Sequence, residues 1–125
     1  MLRNPPPTSR EKGSVLLEGL IAILIFSFGI LAIVGLQANS MRITTDAKMR
    51  IDASNIANQR VGAMWTDAGN LAAHAGANEV VAALPEGKMT TTVAADVVTI
   101  KITWKVPGDS NEQSYSSTTR INGNP

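Results

Sequence analysis

Between positions 19 and 36 the chain runs eighteen residues without a charge, and Ser27 is the only clearly polar side chain among them. At about 1.5 Å per residue a helix of that length is ~27 Å long, enough for the hydrocarbon core of a bilayer. A buried core helix is the alternative. It fails on size, because the remaining ~90 residues of a 125-residue chain cannot wrap such a segment on all sides. The run therefore predicts a membrane-spanning or helix-packing element, and every other part of the chain must be read around it. At its head stands "REKGSVLLEGL", where a charged cluster ends at Gly13 and a carboxylate, Glu18, follows five residues later.

Charge excludes some classes of partner. The net charge is +1, and residues 1–13 contribute Arg3, Arg10 and Lys12 against Glu11, leaving 8 basic and 9 acidic side chains in the remainder. That near-neutral balance is not the footprint of a nucleic-acid binder. There are no cysteines, so neither a disulfide framework nor a thiolate metal site is available.

Residues 1–13 are polar and contain Pro5, Pro6 and Pro7, which forbid a helix there; this segment is expected not to fold. From Ser14 strong helix formers begin, and no proline occurs between Pro7 and Pro85. Past Leu36 the pattern becomes one-sided. Ile43, Ala47, Ile51, Ser54, Ala57, Val61 and Trp65 recur every three or four residues, with Arg42, Asp46, Lys48, Arg50, Asp52 and Arg60 between them. One continuous helix over residues 14–65 is predicted, roughly 80 Å long. It is apolar all round in its first half and amphipathic in its second.

Residues 66–88 are rich in alanine and glycine and read as a link, with one helical turn at 79–84 ahead of Pro85. Strands follow. In VVTIKITWKV (97–106), Val98, Ile100, Ile102, Trp104 and Val106 alternate with Thr99, Lys101, Thr103 and Lys105, placing one face inward and one toward water. Residues 89–93 and 114–121 flank it with β-branched or hydroxyl-rich composition, separated by breaks at 94–96 and 107–113. The expected fold is α+β: a long N-terminal helix whose second half packs on a three-stranded antiparallel meander through the stripe on residues 43–65. Trp104 and Trp65 are both expected between helix and sheet.

Three assignments compete for the first segment. A cleaved secretory signal would use Ala38-Asn39-Ser40 as its site, but eighteen apolar residues exceed the usual core. A plain single-pass anchor accounts for the length and leaves Glu18 unexplained; its orientation is not set by Lys and Arg, three of which precede the span while Arg42, Lys48 and Arg50 follow it within about fifteen residues. The third assignment uses the odd features. "KGSVLLEGLIAILIFSFGILAIVGLQ" resembles the class III signal of type IV pilins and their relatives: a short charged leader ending in glycine, a cleavage point, then an apolar stretch with glutamate at its fifth position. Gly13 matches the glycine, Ser14 the first residue after the cut, and Glu18 the glutamate. The stretch ending in "FSFGILAIVGLQ" is similar to the PilV-type minor pilins. The likeness is close over residues 12–39 and only architectural beyond. Three differences stand out: Ser14 replaces the usual phenylalanine or methionine, no proline interrupts the apolar helix, and the family's C-terminal disulfide is absent.

The resemblance implies a pilin-like fold and a leader of residues 1–13. It implies a transmembrane and filament-core helix half over 14–38 and a periplasmic headgroup over 39–125. It also implies cleavage after Gly13 by a prepilin peptidase that then methylates Ser14. The partners would be other minor and major pilins, first in the inner membrane and then in a pilus at the cell surface, with effects on assembly, adhesion or twitching motility. A minor pseudopilin of a type II secretion system is the alternative within the same architecture; an anchored binding domain that never polymerises is the alternative outside it.

Physical chemistry gives Glu18 a task in that setting. Cleavage would create an ammonium at Ser14, one helical turn away on the same face, and a carboxylate near a helix N-terminus is favoured by the dipole. When apolar helices pack side by side and water leaves, an unpaired charge costs several kcal/mol. A neighbour's Ser14 ammonium is the natural partner, and the pair would reject misdocked subunits. Alternatively, Glu18 sits at the headgroups without a partner.

No catalytic constellation is evident, and no cofactor or metal is implied. His74 is the sole histidine and lies in the link. Asp46 and Asp52, six apart, do not share a helical face. Asp109 and Glu112 sit in a turn that offers too few ligands for calcium. No nucleophile-elbow, Walker A or H-E-x-x-H pattern occurs. A structural role is expected, and not an enzyme.

Overall fold

In the computed structural model, residues 3–4 and 9–123 are described, with helix side chains from Lys12 onward. The element order is α1 (Ser9–Thr66), a 3₁₀ helix η1 (Ala68–His74), and strands β1 (Gly76–Val81), β2 (Gly87–Ala94), β3 (Val97–Lys105) and β4 (Glu112–Arg120). The fold is α+β, as expected. The chain divides into two units, residues 1–43 and 44–125.

In the first unit the helix starts earlier than expected. Residues 9–13, assigned from sequence to an unfolded leader, are helical. Arg10, Glu11 and Lys12 are good helix formers, and a lone Gly13 costs only about 1 kcal/mol relative to alanine, too little to stop a helix that continues for many turns. The three prolines lie outside the described residues. Every described side chain from position 12 to position 45 is exposed, and within that stretch Ser27 returns its hydroxyl to the Ile23 carbonyl at 2.8 Å. That bond satisfies the run's one polar side chain within its own helix.

In the second unit the sheet has four antiparallel strands in the order β1-β2-β3-β4, one more than the sequence suggested. The additional strand is β1, which takes part of the segment read as a helical turn at 79–84. Its pairing with β2 (Glu79 with Met89, Val80 with Lys88, Val81 with Gly87) outweighs a local composition that favours neither helix nor strand. Asn78 adopts φ 53° beside the irregularity in that ladder. The β1–β2 turn requires glycine at its exit: a Cβ on Gly87 would lie 2.6 Å from the Val81 carbonyl oxygen and 2.8 Å from Leu84 Cβ. The rest of the link is η1, which buries Leu71.

β3 alternates as read. Val98, Ile100, Ile102 and Trp104 are buried, while Val106, just past the strand, is half-buried. They share one core with Met64, Leu71, Met89 and Ile121. The second half of α1 packs on this sheet through a face turned about the helix axis from the expected stripe and overlapping it at Ala57 and Val61. Ala53, Ala57 and Met64 are fully buried, with Met49, Ile56 and Val61 packed beside them. Ile43, Ile51 and Trp65, expected in the core, are 61%, 60% and 49% exposed. The two overlapping faces have the same three-and-four spacing, and the sheet takes the one centred on Ala53, Ala57 and Met64. Trp104, by contrast, is buried as expected.

Candidate functional site

Gly13, Ser14 and Glu18 lie on consecutive turns of α1, which is uninterrupted through them. Ser14 to Glu18 is an i,i+4 step, so both side chains occupy one face. Both are exposed, and among the described residues nothing beyond the neighbouring helix backbone comes within 4 Å of where a Cβ on Gly13 would sit. Among the described residues no ion pair holds Glu18. Ser14 contributes a peptide N–H here and not an ammonium.

Beyond Glu18 the helix holds no charge until Arg42. Its most apolar 18-residue window has a mean hydropathy of 2.7 and is not buried at all. A single N-terminal helix, long and apolar enough to cross a membrane, is thus what carries Glu18 at its head, a placement compatible with membrane anchoring.

The other residues singled out from sequence do not assemble. His74 Nε2 lies 3.1 Å from Asp67 Oδ2 on the surface. Asp109 Oδ1 accepts the Asn111 N–H at 3.1 Å, the ordinary economy of a turn. Asp46 and Asp52 are half-buried on the helix. Among the described residues no cluster of three or more His, Asp or Glu side chains is placed to hold a metal.

Spacing could not have revealed the polar ties of the second unit, whose partners are far apart in sequence. Arg60 on α1 pairs with Glu79 on β1, Arg50 Nη2 donates to Gln113 Oε1 on β4 at 3.2 Å, and Arg120 Nε pairs with Asp96 Oδ2 at 3.2 Å. Between the β1–β2 turn and the β3–β4 loop runs an open groove of about 680 Å³, with Lys88 and Lys105 set against Glu86 and Glu112. Its charges balance, and nothing in it pairs a nucleophile with a base.

Comparison with protein-family models, with curated proteins and with solved structures returns no match.

Proposed function

We propose that this chain is a minor pilin: a non-enzymatic structural subunit, inserted in the inner membrane as a precursor and cleaved after Gly13 by a prepilin peptidase. The peptidase methylates it on Ser14, and it joins other pilins in a type IV pilus. There it promotes assembly, and through assembly adhesion or twitching motility. One observation carries this proposal. A helix that is otherwise free of charge from position 14 to position 41 keeps one exposed carboxylate, five residues after a glycine that ends a basic cluster. Leaving a carboxylate within such a segment costs several kcal/mol unless it has a partner, and the amino terminus created at Ser14 is a partner of the right charge one turn away.

The test has two parts. Intact-mass measurement of the chain recovered from sheared fibres should give a protein beginning at Ser14 and carrying one methyl group; a chain beginning at Met1 in cells with active peptidase would return the protein to the anchored-domain assignment. Glu18→Ala should insert in the membrane and be cleaved normally, yet its recovery in fibres should fall by at least about tenfold, the equivalent of ~1.4 kcal/mol of docking free energy. Wild-type recovery of that variant would end the pairing argument.

A further inference from the structure

The two edges of the sheet are unlike, and the difference bears on what covers them. Edge strands expose unpaired N–H and C=O groups, and proteins blunt them with short strands, bulges, prolines or lysines. β1 is blunted: six residues long, with its register broken between Gly76 and Glu79. β4 is not. It pairs with β3 over nine residues without a register shift, and its sequence, EQSYSSTTR, has no proline and no lysine.

The direction of its free groups follows from one hydrogen bond. The Ile121 N–H donates to the Asp96 carbonyl at 2.8 Å, which makes 121 and 96 a hydrogen-bonded pair. In an antiparallel ladder such pairs alternate with non-bonded ones, so odd-numbered residues of β4 turn their backbone groups to β3. Glu112, Ser114, Ser116, Thr118 and Arg120 turn theirs to the open edge. These same five side chains are the exposed ones.

We propose that β4 is the docking edge for β4 of a second copy of this chain, antiparallel about a twofold axis through Ser116. In that register Glu112 faces Arg120 of the partner at both ends, Ser114 faces Thr118, and Ser116 faces itself. Every outward N–H and C=O of the five residues then finds a partner, which a two-residue slip in either direction does not achieve. The charge order along the strand, acidic at one end and basic at the other, suits a copy of itself running the opposite way. Arg120 has donors to spare beyond its Asp96 contact. The small hydroxyl side chains between the ends leave no steric barrier to approach. This dimer contact involves only the headgroup and is independent of the filament proposal, which concerns residues 13–36.

The chain has no native cysteine, so single cysteines report the geometry in the full-length protein in detergent micelles. Hydrogen-bonded antiparallel neighbours are ~5.5 Å apart at Cα, within disulfide reach. Ser116→Cys should therefore form a disulfide-linked dimer at least about tenfold faster than Ser114→Cys, whose two copies would sit about four residues apart, ~13 Å. Thr92→Cys, on an interior strand, serves as a second control. In the unsubstituted chain, amide exchange at Ser114, Ser116 and Thr118 should slow as protein concentration rises. Equal rates for the three cysteines would mean contact through the apolar helices and would overturn the proposal. So would an absent dimer with concentration-independent exchange, which would leave the edge to water or to a strand from another protein.

Discussion

Thr91 is the sharpest test of how the core is held. It lies on the inner face of β2, paired with Ile100 on one side and Gly76 on the other, and is 3% exposed. Its Oγ1 has no hydrogen-bond partner among the described residues. A buried, unsatisfied hydroxyl costs about 1–3 kcal/mol relative to one that stays in water. Thr91→Val exchanges that hydroxyl for a methyl of similar size and keeps the β-branch, so the rotamer and strand preference survive. The expected result is stabilisation by about 1 kcal/mol, which in a unit of this size raises Tm by roughly 4–8 °C. The assay must watch the headgroup and not the long helix. Near-ultraviolet circular dichroism of the core tryptophan, Trp104, on the full chain in detergent meets that need. Thr91→Ser is the companion variant: it keeps the hydroxyl and deletes a buried methyl, and should lose about 1 kcal/mol. If Thr91→Val were instead destabilising, the hydroxyl would have to be donating within the core, and the account of its burial would be wrong.

Gly87→Ala should cost about 1–3 kcal/mol, because the new methyl meets the Val81 carbonyl oxygen and forces the β1–β2 turn to shift; Gly62→Ala, on an open helix surface, should instead stabilise by ~0.5–1 kcal/mol, and the pair is read by the same melt. Trp65, 49% exposed, should emit at long wavelength and be quenched by iodide in a Trp104→Phe background, whereas Trp104 in a Trp65→Phe background should be blue-shifted and protected. Equal quenching of the two would contradict the placement of the helix face.

How much of this was legible depended on whether a period admits one solution. β3 was legible because alternation in VVTIKITWKV places Val98 to Trp104 on one side, and a one-residue slip would bury Thr99, Lys101 and Thr103 instead. The continuity of α1 and its C-terminal end were legible from composition and spacing, whereas its start at Ser9 was not. Its buried face was legible only in part: the stripe 43-47-51-54-57-61-65 shares Ala57 and Val61 with the observed face, but helical spacing alone does not prefer Ala53 and Met64 over Ile51 and Trp65. The choice is made by the sheet, which enters only in three dimensions. β1 was illegible for a related reason, since Gly76 to Glu79 carry no strand signal and become a strand by pairing with β2. At the candidate site the pattern of Gly13, Ser14 and Glu18 was legible because it is local, whereas the Arg60–Glu79 tie spans nineteen residues and leaves no mark on spacing.

The exchange of helix faces has a physical cause and a consequence. β3 contributes Trp104, Ile100 and Ile102 to the core, so the sheet surface is already bulky. A helix approaching it fits by offering small groups, and Ala53 and Ala57 are fully buried there, with Met64 filling the irregular space beyond them. Rotating the helix to bury Ile51 and Trp65 would set large side chains against large ones and overpack the core. Ile51 and Trp65 are left on the uncovered side, two seven-residue steps apart, with the exposed Asn58 midway between them. Seven residues is the spacing by which one helix meets another, and a single asparagine in such a seam fixes register at some cost in stability. One exposed isoleucine or tryptophan needs no explanation. Two of them in step on one face, with the exposed Asn58 between them, make an apolar strip on the outer side of this part of the helix.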